Sequence, residues 1–258
     1  MVFPTPTPMQ YLFILGCPRS GTTVTARILG SHPAIVLGIE RYAKLFFKHG
    51  LEPALFDKDR FFDIRPGDAI YQDFSFKAYT ADAATLRQRY DHARYIGDKI
   101  PGLYRKPEAL AGFPKAETLV IATLRNIWDV CLSYQARFYS TGKNKWDKTA
   151  LQGVRDWNLS LRGIAAIQQA GYPLIIADYD RLYTPLQSEE EYRGNLGALL
   201  QKLGLAWHGQ AENQAATERR KVSDLEAARQ QASLPLEVRL AICRDADFEA
   251  YRRLLKSA

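Results

Sequence analysis

The stretch Gly16-Cys17-Pro18-Arg19-Ser20-Gly21-Thr22-Thr23 constrains this chain more than any other. It follows the apolar run Tyr11–Leu15 and precedes the helical pattern Val24–Leu29. A strand, a loop bounded by glycines and a helix start form a cradle for oxyanions. The loop's backbone N–H groups and the positive end of the helix dipole point at the anion. Gly16 and Gly21 keep the spacing of the nucleotide-phosphate loop G-x-x-x-x-G-K-[ST], but Thr22 stands where the lysine belongs. The cation has moved to Arg19, whose planar fork suits phosphate or sulfate. Loss of the lysine argues against ordinary ATP or GTP chemistry.

Five short apolar runs read as buried strands: Tyr11–Leu15, Ala34–Leu37, Arg94–Ile96, Thr118–Leu124 and Leu174–Ala177. Helical patterns lie between several of them. The expected fold is therefore α/β, a P-loop-like three-layer domain with a central parallel sheet of about five strands. Ligands of such sheets sit beyond the carboxyl ends of the strands. There the first strand delivers the glycine loop, and the fourth delivers Arg125. After Arg125, Asn126 is a helix cap, and Ile127, Val130, Cys131, Tyr134 and Phe138 form one apolar face. Ser133 and Arg137 share a neighbouring stripe.

Other regions are less regular. Arg41 to Asp91 is aromatic and charged, with Phe46-Phe47, Phe61-Phe62 and Tyr71 to Tyr79, and reads as a packed insertion. Ser140 to Asp156, with Gly142, three lysines and Trp146, has the composition of a mobile basic loop. Ala211 to Arg229 is polar and reads as a loop entering a helix. The last part, with Leu236, Leu240, Phe248, Tyr251 and Leu255, reads as helices closing the core.

A chain of 258 residues with 47% hydrophobic and 24% charged residues has the make-up of a globular protein with a full core. Its net charge of +7 fits either a basic surface or a cleft for a polyanion. No aromatic-interleaved basic module or zinc spacing points to nucleic acid. Cys17, Cys131 and Cys243 are far apart and odd in number, which favours a reducing compartment over a disulfide framework. No apolar stretch has the length of a membrane span, and the start lacks the pattern of a secretory signal. A cytoplasmic location is the resulting expectation.

Four motifs resemble the sulfotransferases that use 3′-phosphoadenosine-5′-phosphosulfate (PAPS). The first is the glycine loop followed by Ser31-His32-Pro33. The second is Thr123-Leu124-Arg125-Asn126 running into Asp129-Val130-Cys131-Leu132-Ser133. The others are Gly97-Asp98-Lys99-Ile100-Pro101 and Asp178-Tyr179-Asp180-Arg181-Leu182. They follow the family's order from Tyr11 to about Leu205, and look most like the protein-tyrosine and bacterial carbohydrate or small-molecule branches.

The resemblance implies a single sulfotransferase domain over residues 1–258, with 41–91 and 140–156 as acceptor-site insertions. The donor would be PAPS, the product PAP, and no metal would be needed. The acceptor would be a small molecule, carbohydrate or peptide. Arg19, with the N–H groups of Ser20, Gly21, Thr22 and Thr23, would hold the 5′-phosphosulfate. Arg125, Ser133 and Arg137 would hold the 3′-phosphate, with Tyr179 near the nucleotide. Lys99 would stabilise the leaving oxygen. Glu40 would be the base, although Ile39 replaces the first of the two adjacent acidic residues in the tyrosine-sulfating branch.

Plainer readings stand beside these. Arg19 and Arg125 could be surface cations, Glu40 a partner of Arg41, Lys99 a solvated neighbour of Asp98, and Tyr179 a core aromatic. His49 or His92 is the alternative base, while His32 before Pro33 is a turn residue. Arg219-Arg220-Lys221-Val222-Ser223 is either a flap over the 3′-phosphate or a solvated charge run. The rival functions are a small-molecule kinase with a degenerate loop and a non-catalytic nucleotide-binding module.

Overall fold

A computed structural model describes residues 9–69, 83–140, 146–184, 187–229 and 232–257. Five strands form one parallel sheet: β1 (Gln10–Gly16), β2 (Ile35–Ile39), β3 (Tyr95–Lys99), β4 (Thr118–Leu124) and β5 (Leu174–Asp178). Their order is β2-β3-β1-β4-β5. From β1 the chain jumps to the edge strand β2, returns inward to β3 and then crosses to β4 and β5 on the other side, so the connectivity changes direction between β1 and β3. This is where α/β sheets bind ligands.

The expected strands are all present, and three of them run further than their apolar residues do. β3 continues through Asp98 and Lys99, both buried. Polar residues there hid the end of the strand from a reading based on apolar runs. Along β1 the side chains alternate. Phe13 and Leu15 enter a core with Trp157, Leu161 and Ile164, while Leu12 and Ile14 enter another with Val24, Ile28 and Leu199. The first core lies under α5 (Ile127–Tyr139), α6 (Ala150–Gln169), α10 (Leu236–Asp245) and α11 (Phe248–Lys256). The second lies under α1 (Thr22–Gly30), α7 (Tyr179–Tyr183), α8 (Glu189–Lys202) and α9 (Gly209–Arg229).

Two irregular readings are corrected. Ala211 to Arg229 lies within the continuous helix α9. Ala211, Ala215 and Val222 are buried, and the buried Glu218 accepts from Gln214, Arg27 and Lys221. Because this face is held partly by polar contacts, it lacked an apolar stripe to recognise. Helix α6 starts at Ala150, well inside the expected basic loop. Thr149 and Gln152 form a reciprocal capping box there. Residues 141–145 and Tyr71 to Tyr79 lie outside the described residues.

The insertion after β2 carries α2 (Ala43–His49), α3 (Lys58–Phe62) and α4 (Ala83–Arg89). Its centre is the fully buried Arg41, which donates to Asp68 at 2.7 Å and to the Phe61 and Asp63 carbonyls at 3.0 and 2.7 Å. Asp68 also accepts from Arg60 at 2.6 Å. Burial pushes the Asp68 carboxyl up, but hydrogen bonds from Arg60, Arg41 and the Arg65 amide overcome it and hold the group at about 2.

A lowered carboxyl stabilises the fold above its ordinary value of 3.8 and loses that contribution as pH falls through about 2. We expect Asp68→Asn to cost about 3–5 kcal/mol at neutral pH, because it leaves the Arg41 charge buried. Urea unfolding should show the gap to wild type narrowing by about 2 kcal/mol between about pH 4 and pH 2. A gap independent of pH would reject the ion-pair account.

Candidate functional site

Parallel pairing in register brings the five strand ends to one edge. Gly16 pairs with Thr123, Ile14 and Ile39 both pair with Lys99, and Leu124 pairs with Asp178. The glycine loop, Glu40, Lys99, Arg125 and Tyr179 therefore leave the sheet along one line.

The loop is tied down by its own polar groups. Ser20 N–H donates to the Cys17 carbonyl at 3.0 Å, and Ser20 Oγ donates to the same carbonyl at 2.6 Å. Ser20 Oγ also lies 2.7 Å from Thr123 Oγ1. Thr123 Oγ1 also lies 3.3 Å from the Leu15 carbonyl, so the two hydroxyls tie the loop to β1 and β4 together. Ser20, expected to lend its amide to the ligand, anchors the loop to β4 through its hydroxyl. Gly21 then caps α1 at φ 97° without a side-chain hydrogen bond. The first-turn amides of Thr22 and Thr23 thus open the helix toward the cleft. A Cβ on Gly21 would fall 2.3 Å from Tyr179 Cδ2, so glycine is required by space as well as by φ.

Arg19 and Glu40 are the two non-glycine residues with positive φ among those described, at 73° and 56°. Both are site candidates, and unusual backbone of this kind concentrates where side chains must be aimed. Arg19 Nε donates to Ser133 Oγ at 2.8 Å, joining the loop to α5. Arg125 is buried at the end of β4, where its guanidinium lies 4.0 Å from the Tyr179 ring centroid and its Nη2 reaches Asp129 Oδ2 at 3.2 Å. The buried Trp157 donates to the Arg125 carbonyl at 2.9 Å. Asn126 caps α5 through the Asp129 amide and donates to Asp180. Burial raises the Asp180 carboxyl, against the Asn126 donors and the Arg125 charge.

Lys99 is 1% exposed, so it is not a solvated lysine. Its Nζ donates to Glu40 Oε1 at 2.6 Å and to Thr23 Oγ1 at 3.3 Å. Glu40 is therefore paired with Lys99, while Arg41 turns to Asp68. Burial pushes the neighbouring Asp98 up to about 7, against the Tyr42 and Arg41 amides and the Lys99 and Arg41 charges. Arg137 sits one turn past Ser133 with its guanidinium 5.4 Å from the Trp146 ring centroid.

The remaining candidates lie elsewhere. His49 and His92 are exposed, and His92 precedes β3, at the amino end of the sheet. His32 is a turn residue whose Nδ1 accepts from the Ala34 amide at 3.1 Å. Arg219 and Lys221 belong to α9, where they pair with Glu189 and Glu218. Sequence reasoning passed over Asp98, Asn126 and Trp157 as parts of the site. The polar pair inside a strand at Asp98-Lys99 was the one signal available for Asp98.

The arrangement is a row of cations, helix-start amides and hydroxyls, with one carboxylate facing the buried lysine. It fits a doubly anionic ligand and a proton acceptor. Among the described residues, no cluster of His, Cys, Asp and Glu could hold a metal ion, and no helix is long and apolar enough to cross a membrane.

Comparison with known proteins agrees with this geometry. The sulfotransferase family model matches residues 11–209. The sulfotransferase domain of the Synechococcus PCC 7002 olefin synthase is 17% identical, with a TM-score of 0.51 over 82% of this chain and 78% of that one. The sulfotransferase domain from the curacin biosynthetic pathway is 16% identical over 80% and 77% of the chains, with a TM-score of 0.46. STF1 from Mycobacterium tuberculosis H37Rv is 17% identical over 82% and 72%, with a TM-score of 0.45. No curated protein matches significantly. The family match covers more than half of the chain and spans every strand end described above, so the chain belongs to the sulfotransferase family.

Proposed function

We propose that the protein transfers a sulfuryl group from PAPS to a hydroxyl or amine of a small-molecule, carbohydrate or peptide acceptor. The observation carrying this reading is the Arg19 Nε–Ser133 Oγ hydrogen bond, which links the glycine loop to the helix following Arg125. One ligand with two separated anionic ends would satisfy both.

The donor supplies a sulfuryl group bonded through oxygen to a phosphate leaving group. Arg19 and the amides of Gly21, Thr22 and Thr23 would hold the 5′-phosphosulfate. Arg125, Ser133 and Arg137 would hold the 3′-phosphate, with Tyr179 as the wall between the two sites. Glu40 would take the acceptor's proton as the acceptor oxygen or nitrogen bonds to sulfur. Lys99 would neutralise the bridging oxygen as its bond to sulfur breaks and PAP leaves. The 2.6 Å contact from Lys99 Nζ holds the Glu40 carboxylate beside the buried lysine. Nothing in this scheme requires a metal. The segments 41–91 and 140–156 would shape the acceptor side, and residues 1–258 would act as one domain.

We expect Arg19→Ala and Arg125→Ala each to weaken PAP binding at least about tenfold in calorimetry, the scale of one lost charge-assisted hydrogen bond. Unchanged affinity in both variants would reject the donor assignment. Glu40→Gln should bind PAP normally and lose about 10²–10⁴-fold in turnover. Normal turnover would remove Glu40 from the mechanism. The acceptor can be found by screening candidates with radiolabelled PAPS, once PAP is shown to raise the melting temperature. Sulfuryl transfer should survive a metal chelator, whereas a kinase using ATP and Mg²⁺ would be silenced.

A further inference from the structure

The turn carrying Glu40 is held by a residue outside the proposed reaction. Asp98 is fully buried in β3 and meets two consecutive backbone amides. Arg41 N–H donates to its Oδ1 at 3.0 Å, and Tyr42 N–H donates to its Oδ2 at 2.8 Å. Glu40 N–H donates to the Lys99 carbonyl at 2.8 Å. Three successive amides are thus closed by the dipeptide Asp98-Lys99, and the residue they surround is the one at φ 56°. The turn is also tight where it meets Asp98. A Cβ on Gly38 would stand 2.6 Å from Arg41 Cβ and 2.9 Å from Asp98 Oδ1.

Adjacent strand residues face opposite sides of the sheet. Asp98 reaches the insertion that carries Arg41 and Tyr42, while Lys99 reaches Thr23 at the start of α1. The same two residues therefore hold the base from its backbone and meet its carboxylate from the front. A carboxylate accepts both amides without conflict. An asparagine has one acceptor oxygen and would turn an NH₂ group toward the second N–H. Arg41 does not share this task, since its side chain is committed to Asp68 and the Phe61 and Asp63 carbonyls.

We propose that Asp98 is the positioning residue for the base, setting the left-handed turn that delivers the Glu40 carboxylate to Lys99. This rests on the reading of Glu40 as base and Lys99 as its partner at the leaving oxygen. Asp98 itself touches neither donor nor acceptor, so its removal acts on turnover through Glu40 and spares the nucleotide site.

The test is Asp98→Asn in the full chain. Three measurements are needed: a crystal structure of the variant, a calorimetric PAP titration, and kcat and KM with an acceptor from the donor screen. We expect Glu40 to leave Lys99, kcat to fall about 10²-fold, the scale of a misplaced reacting group, and PAP affinity to stay at the wild-type value. Gly38→Ala crowds the same turn at Asp98 and Arg41 and should give the same split. It carries the test if the asparagine variant does not fold.

A Glu40–Lys99 contact kept in place with wild-type kcat would overturn the proposal. So would equal losses of kcat and PAP affinity, which mark a merely structural role, or failure of both variants to fold. The two readings fail separately. If Glu40→Gln turns over normally, the base assignment is lost, while the variant crystal structures still report whether Asp98 sets the turn.

Discussion

The site depends first on the parallel ladder around β1. Because β3 and β4 pair with β1 in register, the last residues of neighbouring strands cannot slide relative to one another. A slip of one residue would send Lys99 to the opposite face of the sheet and separate it from Thr23. The hydrophobic cores on both faces enforce that register, since Leu12 and Ile14 belong to one and Phe13 and Leu15 to the other. Packing of apolar side chains thereby sets the positions of the buried charged ones at the strand ends.

Beyond the strand ends, backbone hydrogen bonds take over. Arg19 and Glu40 sit in the left-handed region at a cost of order 1–3 kcal/mol each, and the surrounding contacts must over-determine them. For Arg19 these are the Ser20 anchor and the reach to Ser133; for Glu40 they are the three amides closed on Asp98 and Lys99. Sequence folds this edge locally through small polar residues whose hydrogen bonds stay inside the protein. Ser20 and Asp98 in particular hold the turns of their neighbours through backbone groups.

Much of this was legible in the sequence. Apolar runs located all five strands, because strands buried on both faces need no alternation to be seen. Glycine spacing located the loop, and order along the chain located Arg125 and Lys99. What stayed hidden was held by polar contacts. The end of β3 was missed because Asp98 and Lys99 look like loop residues until their partners are known. Helix α9 was missed because Glu218 and Gln214 occupy a buried face. The start of α6 turned on a capping box within a lysine-rich stretch, where composition outweighed a short local signal. The Glu40–Lys99 pair could not be deduced either, since the two are distant in sequence and Arg41 offered a nearer cation.

The aromatic wall formed by Tyr179 has a consequence for size selection. Its ring fills the space that any side chain at position 21 would need, and the Arg125 guanidinium rests on the same ring. The loop and the arginine are thus spaced by the width of one rigid phenol, which behaves as a ruler of constant length. In the proposed reaction an anion too small to bridge that span would engage only one end. Such a gauge would select the donor by reach as well as by charge.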